Sequence, residues 1–343
     1  MNPGFRARFG IAASTLRNLL SGMPGRRVLV YGDIVCDEYV HTRIERTSRE
    51  APVLILRWTG RELRAGGAAN SARNVAALGG RAVVVGVVGA AAAGGEIRRI
   101  FRGDRIGMRG LLAVPGYATP RKTRILAGLT HRARQQVVRV DSWENLRSGR
   151  HLEEDLHAAL RRGVRGVRGV LVSDYAIGAV RPSLVHDLFA RAARAGIPVV
   201  LDSRHQLGEL PGATVATPSE ADAEEILGAP LPAEDSKLER VTRALLDALK
   251  ARAVLLTRGS RGMLLLERER PPYRIPVFGA DEVTDVTGAG DTVASVLAVA
   301  LASGVPLRAA ALLANVAAGL AVMKLGTATV SREEIAAALE GRA

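Results

Sequence analysis

Cysteine occurs once in this chain, as Cys36. A single thiol excludes a disulfide framework and points to a reducing compartment, so a cytoplasmic protein is expected. Aromatic residues are also scarce, at 3% of the sequence, and Ala, Val and Leu carry the apolar content. Lysine is confined to Lys122, Lys237, Lys250 and Lys324, so arginine supplies nearly all the positive charge behind a net +14. The arginines are scattered over the whole length, with no basic tail and no run of five, which speaks against a nucleic-acid partner. Long hydrophobic runs are missing too. The most apolar region, 292–323, is broken by Ser303-Gly-Val-Pro306, Arg308 and Asn315, and reads as two buried helices rather than a membrane span. Residues 1–23 lack the continuous apolar segment of a secretory leader. Residues 1–25 are expected to form a ragged segment with one short helix, and 26–343 the main domain. The six histidines show no H-E-x-x-H spacing, and no GxxxxGK[ST] loop is present. Those absences remove a protein-held zinc site and a Walker-type nucleotide loop from consideration.

What is present is a regular rhythm. Of 343 residues, 48% are hydrophobic, enough for a large core. Arg27–Gly32 reads as a buried strand ending at Asp33. Gly66-Gly67 opens a helix over 68–78, and 82–88 is another buried strand. A short helix is expected over 96–102. From 150 onward, helices at 152–162, 183–195 and 236–250 alternate with strands at 169–172, 197–201, 213–216 and 253–256. Segments 263–266 and 274–277 add an antiparallel pair. Such alternation predicts an α/β fold with a mostly parallel central sheet and helices on both faces. Ligands of such sheets bind beyond the carboxyl ends of the strands. Here those ends carry Asp33, Asp174, Asp202, Ser219 and Thr257. Segments 38–64 and 117–141 are less buried and are the candidates for a second, smaller sheet. Within the latter, 121–126 and 135–140 read as a hairpin with a polar turn at His131-Arg132.

One stretch concentrates chemistry: Asp285-Val-Thr-Gly-Ala-Gly-Asp291-Thr, running straight into an apolar segment. At a helix start, Gly288, Ala289 and Gly290 present free N–H groups which, with the helix dipole, form a site for anions. An acid at the mouth of that site is a poor choice for holding phosphate. It suits the removal of a proton from a hydroxyl that attacks a phosphoryl group, so Asp291 is read as a general base. The Gly-Ala-Gly turn is read as the hole for the transferring charge. The plain alternative for Asp291 is an acid that merely complements the dipole.

These residues resemble the pfkB-type, ribokinase-like carbohydrate kinases over nearly the whole chain, from about 26 to 340. Asp285–Asp291 is similar to the family's C-terminal signature, Gly66-Gly67-Ala-Ala-Asn70 to its sugar-binding motif, and Thr257-Arg-Gly259-Ser-Arg-Gly262 to its nucleotide loop. The resemblance implies a three-layer α/β/α fold with a small β-sheet lid, ATP and Mg²⁺ as cofactors, a site for K⁺, and a homodimer formed through the lid. It places Asp37, Gly66, Gly67 and Asn70 on sugar hydroxyls, with Asp33 and Asp174 beside them at strand ends. Strand-end capping is the plain alternative for Asp33 and Asp37. Thr257, Gly259, Gly262 and Ser219 fall on the nucleotide side. Asn315, polar where the periodicity wants apolar, falls near adenine or is a satisfied core amide. Asp285 matches the monovalent-cation position and Asp222 the magnesium shell.

Within the family the likeness is greatest to the kinases of D-glycero-D-manno-heptose 7-phosphate, which act in ADP-heptose biosynthesis. It rests on Gly32-Asp33-Ile-Val-Cys-Asp37-Glu-Tyr39, Arg49-Glu-Ala-Pro-Val53, Arg134-Gln-Gln-Val-Val-Arg-Val-Asp141, Val172-Ser-Asp-Tyr-Ala176 and Lys324-Leu-Gly-Thr-Ala-Thr-Val-Ser331. Some of these kinases carry a fused nucleotidyltransferase domain; this chain resembles the stand-alone form. A phosphorylated acceptor needs cations, and Lys122, Arg124, Gln136 and Arg139 on the lid and Arg204 at a strand end are the candidates, each with a solvated surface side chain as its alternative. Three positions depart from the pattern. Ser219-Glu-Ala-Asp222 replaces Asn-x-x-Glu, Ile177 replaces a lysine, and Asp202-Ser-Arg204 replaces Asp-Pro-Lys, where Arg keeps the charge but not the geometry. The rival readings are a family kinase for ribose, fructose, a fructose phosphate or a nucleoside, a non-catalytic sugar or nucleotide sensor, and a nucleic-acid binder. A cationic cluster at the acceptor end separates the first rival from a sugar-phosphate kinase.

Overall fold

The protein is described here from a computed structural model covering residues 3–128, 135–144, 146, 149–232, 235–279 and 283–341. The strands are β1 (Arg27–Gly32), β2 (Ile34–Thr47), β3 (Leu54–Gly67), β4 (Arg81–Gly89), β5 (Gly107–Val114), β6 (Arg121–Ala127), β7 (Gln135–Ser142), β8 (Gly169–Asp174), β9 (Val199–Ser203), β10 (Val215–Ala216), β11 (Ala253–Thr257), β12 (Met263–Glu267) and β13 (Tyr273–Ile275). The helices are α1 (Pro3–Phe9), α2 (Ala13–Ser21), α3 (Ala68–Ala77), α4 (Ala92–Gly103), α5 (Arg150–Gly163), α6 (Pro182–Arg194), α7 (Glu220–Leu227), α8 (Asp235–Ala248), α9 (Ala289–Ala302), α10 (Leu307–Ala321) and α11 (Arg332–Leu339).

Among the described residues the larger sheet runs β13-β12-β11-β10-β9-β8-β1-β4-β5. All neighbours from β11 to β5 are parallel, and β12 and β13 form an antiparallel edge. Strand residues alternate between faces. Val28 and Val30 join one core with Leu16, Ile97, Val296 and Leu312, whereas Leu29 and Tyr31 join the other with Leu156, Leu184, Leu188 and Leu245. Both faces are covered by helices, which is why Arg27–Gly32 is an unbroken apolar run after its first residue. The three layers expected from the sequence are therefore present, and so is the smaller sheet. It runs β3-β2-β6-β7, with β2 and β6 parallel and the outer pairs antiparallel. Its outer strand β7 is exposed along nearly its whole length. The polar turn expected at His131-Arg132 lies outside the described residues.

Several elements differ from the sequence reading. The expected ragged start is two helices, with Phe5, Phe9, Leu16, Leu20 and Met23 buried. Phe5 and Phe9 lie 6.3 and 6.2 Å from the ring of Phe278, and Arg8 Nη2 donates to the Val277 carbonyl at 2.9 Å. Tertiary packing from far along the chain orders a segment whose own propensity is weak. Strand β5 went unassigned, as did α7 and α11. Both helices start with a capping box: Ser219 with Asp222, and Ser331 with Glu334. The S-x-x-D/E spacing was legible as a helix start, but at 219–222 it was read only as a ligand set. The apolar region 292–323 forms most of α9 and all of α10, packed inside the core. Among the described residues no helix is long and apolar enough to cross a membrane.

Candidate active site

The carboxyl ends of the parallel strands face the start of α9. Gly288 precedes that helix with φ 82°, a left-handed conformation that favours glycine. A Cβ there would also stand 2.8 Å from Asn70 Nδ2. The turn places Asp291 in the first turn of α9, where the dipole favours its charge, yet the residue is only 2% exposed. Asn70 Nδ2 donates to Asp291 Oδ2 at 2.8 Å, and Tyr175 OH donates to Oδ1 at 2.8 Å. Burial pushes the Asp291 carboxyl above its ordinary range; the bonds from Asn70 and Tyr175 and the charge of Arg204 pull the other way.

The start of α3 closes the opposite wall. Gly67 has φ 55°, and a Cβ on it would lie 2.7 Å from the Asp33 carbonyl. A Cβ on Gly66 would collide with Asp37 Oδ2. Glycine is required at both positions because a Cβ has no room there, where strands β2 and β3 pair Ile34 with Gly67 and Val35 with Gly66.

Between these elements lies a cavity of about 590 Å³. Its walls bring together Asp37, Gly67, Lys122, Arg124, Arg139, Arg204, Ser219, Asp222, Thr257, Gly288, Gly290 and Asp291. A second cavity, about 470 Å³ and mostly apolar, adjoins it. Gly259, Gly262, Ala289 and Asn315 line it together with Met263, Val277, Val293 and Val322. Thr257, Val286 and Gly290 belong to both cavities, so the Gly-Ala-Gly turn stands at their junction. Asn315 also donates to the Pro276 carbonyl at 3.0 Å, so this buried amide is satisfied as well as facing the second cavity.

Six sequence candidates stand off both walls. Asp33 accepts from the backbone N–H groups of Tyr175, Ile177 and Ala179 at 2.8, 3.2 and 2.9 Å. Asp174 accepts from Ser203 Oγ at 2.6 Å and from the Ala176 N–H at 2.8 Å. Both carboxylates are consumed by the loop that follows β8, which is why neither reaches the cavity. Asn70 and Gly66 stand one layer behind, against Asp291 and Asp37. Gln136 is exposed on β7. Asp285 accepts from the N–H groups of Thr287 and Gly326, both at 2.9 Å. Ser219 and Asp222 line the cavity while capping α7: Ser219 N–H and Oγ both donate to Asp222 Oδ2, at 2.8 and 2.6 Å.

The cations of the acceptor side divide into two kinds. Arg124 Nη1 is bound to Asp37 Oδ1 at 2.5 Å, and Arg139 forks onto Asp141 at 2.9 and 2.7 Å. Among the described residues neither Lys122 nor Arg204 has a carboxylate in an ion pair. Burial and the nearby Arg204 both lower the pKa of Lys122.

Two residues escaped the sequence reading of the site, and a third, Asp202, figures in it only as a polar strand end. Tyr175 reaches Asp291 and stands beneath Lys122 and Arg204. Asp202 lines the cavity, and burial, followed by the charge of Asp291, pushes its carboxyl up to about 7. Thr327 lines the cavity with its buried Oγ1 unpartnered. A signal existed for Tyr175, an aromatic directly after a strand-end acid in a chain poor in aromatics. Nothing local marks Thr327.

Known proteins place this arrangement. The chain is similar in fold to the solved ribokinase of Arabidopsis thaliana complexed with ribose and ATP, with a TM-score of 0.70 at 22% identity over 92% of this chain and 99% of that one. It is similar also to phosphofructokinase-2 from Escherichia coli in complex with potassium, with a TM-score of 0.71 at 18% identity and the same coverage. The fold is thus ribokinase-like. The pfkB family of carbohydrate kinases matches residues 26–334, and the chain belongs to that family. By that membership it is a phosphotransferase with an alcohol group as acceptor, and such kinases use ATP with a divalent metal ion such as Mg²⁺. Among its relatives, the bifunctional protein HldE of Geotalea uraniireducens (strain Rf4) is 40% identical over 312 residues, 91% of this chain and 62% of that protein. The bifunctional protein HldE of Geobacter metallireducens is 41% identical over 308 residues, 90% of this chain and 61% of that protein. The chain thus spans less than two-thirds of the length of these relatives.

Proposed function

We propose that this protein transfers the γ-phosphoryl group of ATP to O1 of D-glycero-β-D-manno-heptose 7-phosphate, a step of ADP-heptose biosynthesis in the cytoplasm. The observation that carries the reading is the pair of cations Lys122 and Arg204, which among the described residues have no carboxylate in an ion pair and stand on the wall of the cavity that contains Asp291. An unphosphorylated sugar needs no such pair, whereas a phosphate on the acceptor does. The likeness of the chain to heptose 7-phosphate kinases, and its identity to the HldE proteins, support the choice of sugar.

In the proposed reaction the acceptor hydroxyl lies against Asp291, which takes its proton as the O1–Pγ bond forms. The bond from Pγ to the bridging oxygen breaks, and ADP leaves with that electron pair. N–H groups of the Gly288–Gly290 turn face the transferring charge, and they are fixed before the reaction begins. Asp37 holds sugar hydroxyls while its pairing with Arg124 orients the carboxylate. The unpartnered Thr327 hydroxyl supplies a further polar contact for the sugar. Thr257, Gly259 and Gly262 shape the nucleotide side, and the apolar second cavity takes the base near Asn315. Asp202 and Asp222 are the acids that fit a magnesium ion: with Asp291 they crowd negative charge on one wall, and each raises the pKa of Asp202. Mg²⁺ there would neutralise nucleotide phosphate charge, leaning mainly on phosphate oxygens and water. Each Asp285 oxygen accepts one N–H and keeps a lone pair free for a potassium ion. Within the domain of residues 26–343, the smaller sheet acts as a lid over the site. Its exposed apolar side chains, Trp58 on β3 and Val138 and Val140 on β7, suit a homodimer interface.

The test is ADP release across a panel of sugars and sugar phosphates, with Asp291→Asn in parallel. Heptose 7-phosphate should turn over, and the variant should lose roughly 10²–10⁴-fold in kcat, the usual weight of a general base. Wild-type turnover by the variant would overturn the mechanism. An inert heptose 7-phosphate alongside an active unphosphorylated sugar would overturn the substrate.

A further inference from the structure

We propose that Tyr175 is the positioning residue that couples recognition of the acceptor's own phosphate to the base Asp291. The inference rests on the reaction proposed above. It begins with the loop after β8. Ala176 has φ 57°, a left-handed conformation that a residue with a Cβ seldom adopts. Such backbone persists only where its surroundings over-determine it, and those places cluster at functional sites. The surroundings are on hand. Asp33 accepts the N–H groups of residues 175, 177 and 179, and Asp174 that of Ala176. From below, Tyr31 OH donates to the Ala179 carbonyl at 2.6 Å. Three buried side chains thus hold one short loop, and what it presents to the cavity is Tyr175.

The phenol then does two things. Its OH donates to Asp291 Oδ1 at 2.8 Å, while Asn70 takes Oδ2. Burial, and then the charge of Asp291, hold the Tyr175 pKa well above the ordinary phenol value. Tyr175 therefore stays a donor at every working pH and leaves Asp291 as the proton acceptor. Its ring, meanwhile, lies 4.7 Å from Lys122 Nζ and 4.6 Å from Arg204 Cζ, within cation–π range of both. Among the described residues neither of these two cations is in an ion pair with a carboxylate. Two like charges over one ring, neither in an ion pair among the described residues, form a place for an anion. A phosphate that binds them fixes the cations on the ring, and the ring holds the phenol on the base. A tyrosine that only filled the core would bring its OH to a backbone carbonyl and would not collect two cations.

Two variants separate the roles, both measured on the purified full chain with ATP. Tyr175→Phe keeps the ring and removes the hydroxyl. The other groups that face Asp291 stay in place: Asn70 and Ser71 of α3, Asp37 of β2, and Asp202 and Arg204 at the end of β9. Loss of one hydrogen bond to a charged group should lower kcat by about ten- to a hundredfold. The KM values for ATP and for the sugar phosphate should not move. Because that bond lowers the pKa of Asp291, the acid limb of the kcat profile should shift to higher pH. Tyr175→Leu removes the ring as well, and should in addition raise KM for the sugar phosphate roughly three- to tenfold, leaving KM for the same sugar without its phosphate unchanged. A Phe variant with wild-type kcat and an unmoved acid limb overturns the positioning role. A Leu variant that raises both sugar KM values equally overturns the coupling. If the wild-type enzyme proves to act on another sugar phosphate, the heptose assignment falls, and the same comparisons on that acceptor decide the role of Tyr175.

Discussion

Asp202 and Asp174 are carboxyls that the fold holds under protest. Burial pushes each up to about 7 from 3.8, with Asp291 adding to the effect at Asp202 and Asp33 at Asp174. An acid whose folded pKa exceeds its unfolded one stabilises the fold when protonated. That stabilisation is full below about 3.8 and is lost as pH rises through about 7. The ligand-free protein should therefore lose thermal stability as pH rises from about 5 to about 7.5. Asp202→Asn keeps an acceptor for the Thr217 hydroxyl, which donates to Asp202 Oδ1 at 3.1 Å. Scanning calorimetry across that range should find a shallower slope in the variant; an unchanged slope would mean that Asp202 is not one of the groups responsible. Legibility at this scale followed local context. Asp291 was readable because its neighbours Gly288 and Gly290 are also its working partners. Tyr175 was not, because its partner lies on another element: Asp291 is 116 residues away.

Elements explain where some of the charge went. Arginines occupy the last turns of α4, α5 and α6, at Arg102, Arg161, Arg162, Arg191 and Arg194, where the helix carbonyls carry partial negative charge. Acids occupy the first turns of α5, α7, α9 and α11. Five of the 44 arginines thus complement helix dipoles. The loop after β8 makes the sharper case. Asp33→Ala would leave three N–H groups of residues 175–179 without their acceptor. At roughly 1–3 kcal/mol for each buried donor left unmade, the loss should be on the order of 3 kcal/mol or more. Urea unfolding should register it, and kcat should fall because Tyr175 loses its support. Unfolding at the wild-type midpoint would show that the loop stands without Asp33. The sequence reading put Asp33 and Asp174 with the substrate because strand ends carry ligands in such sheets. They serve the site at one remove, since backbone donors reach them first.

At the scale of the whole molecule, the smaller sheet is unfinished. Val137, Val138 and Val140 of β7 are 43%, 47% and 52% exposed, and Trp58 of β3 is 64% exposed. An edge strand with apolar residues on both faces invites a covering surface. Val138 and Val140 lie two residues apart and share one face. Wild-type protein should sediment as a dimer at micromolar concentration, and Val138→Lys with Val140→Lys as a monomer that stays folded. A monomeric wild type would remove the interface proposed here.

The sequence alone determined the layers of this protein and marked the turn proposed as its chemical centre. Unbroken apolar strands require cover on both faces, and a Gly-Ala-Gly turn with its acid is complete within seven residues. Tertiary structure alone decided how the cavity is furnished. It turned Asp33 and Asp174 to a loop, ordered the N-terminal helices on Phe278, and brought Tyr175 from the end of β8 to Asp291, Lys122 and Arg204. The physical reason is range. Periodicity and capping act between near neighbours, whereas a hydrogen bond to Asp291 is specified only when the strands that carry its donors have taken their places in the sheet.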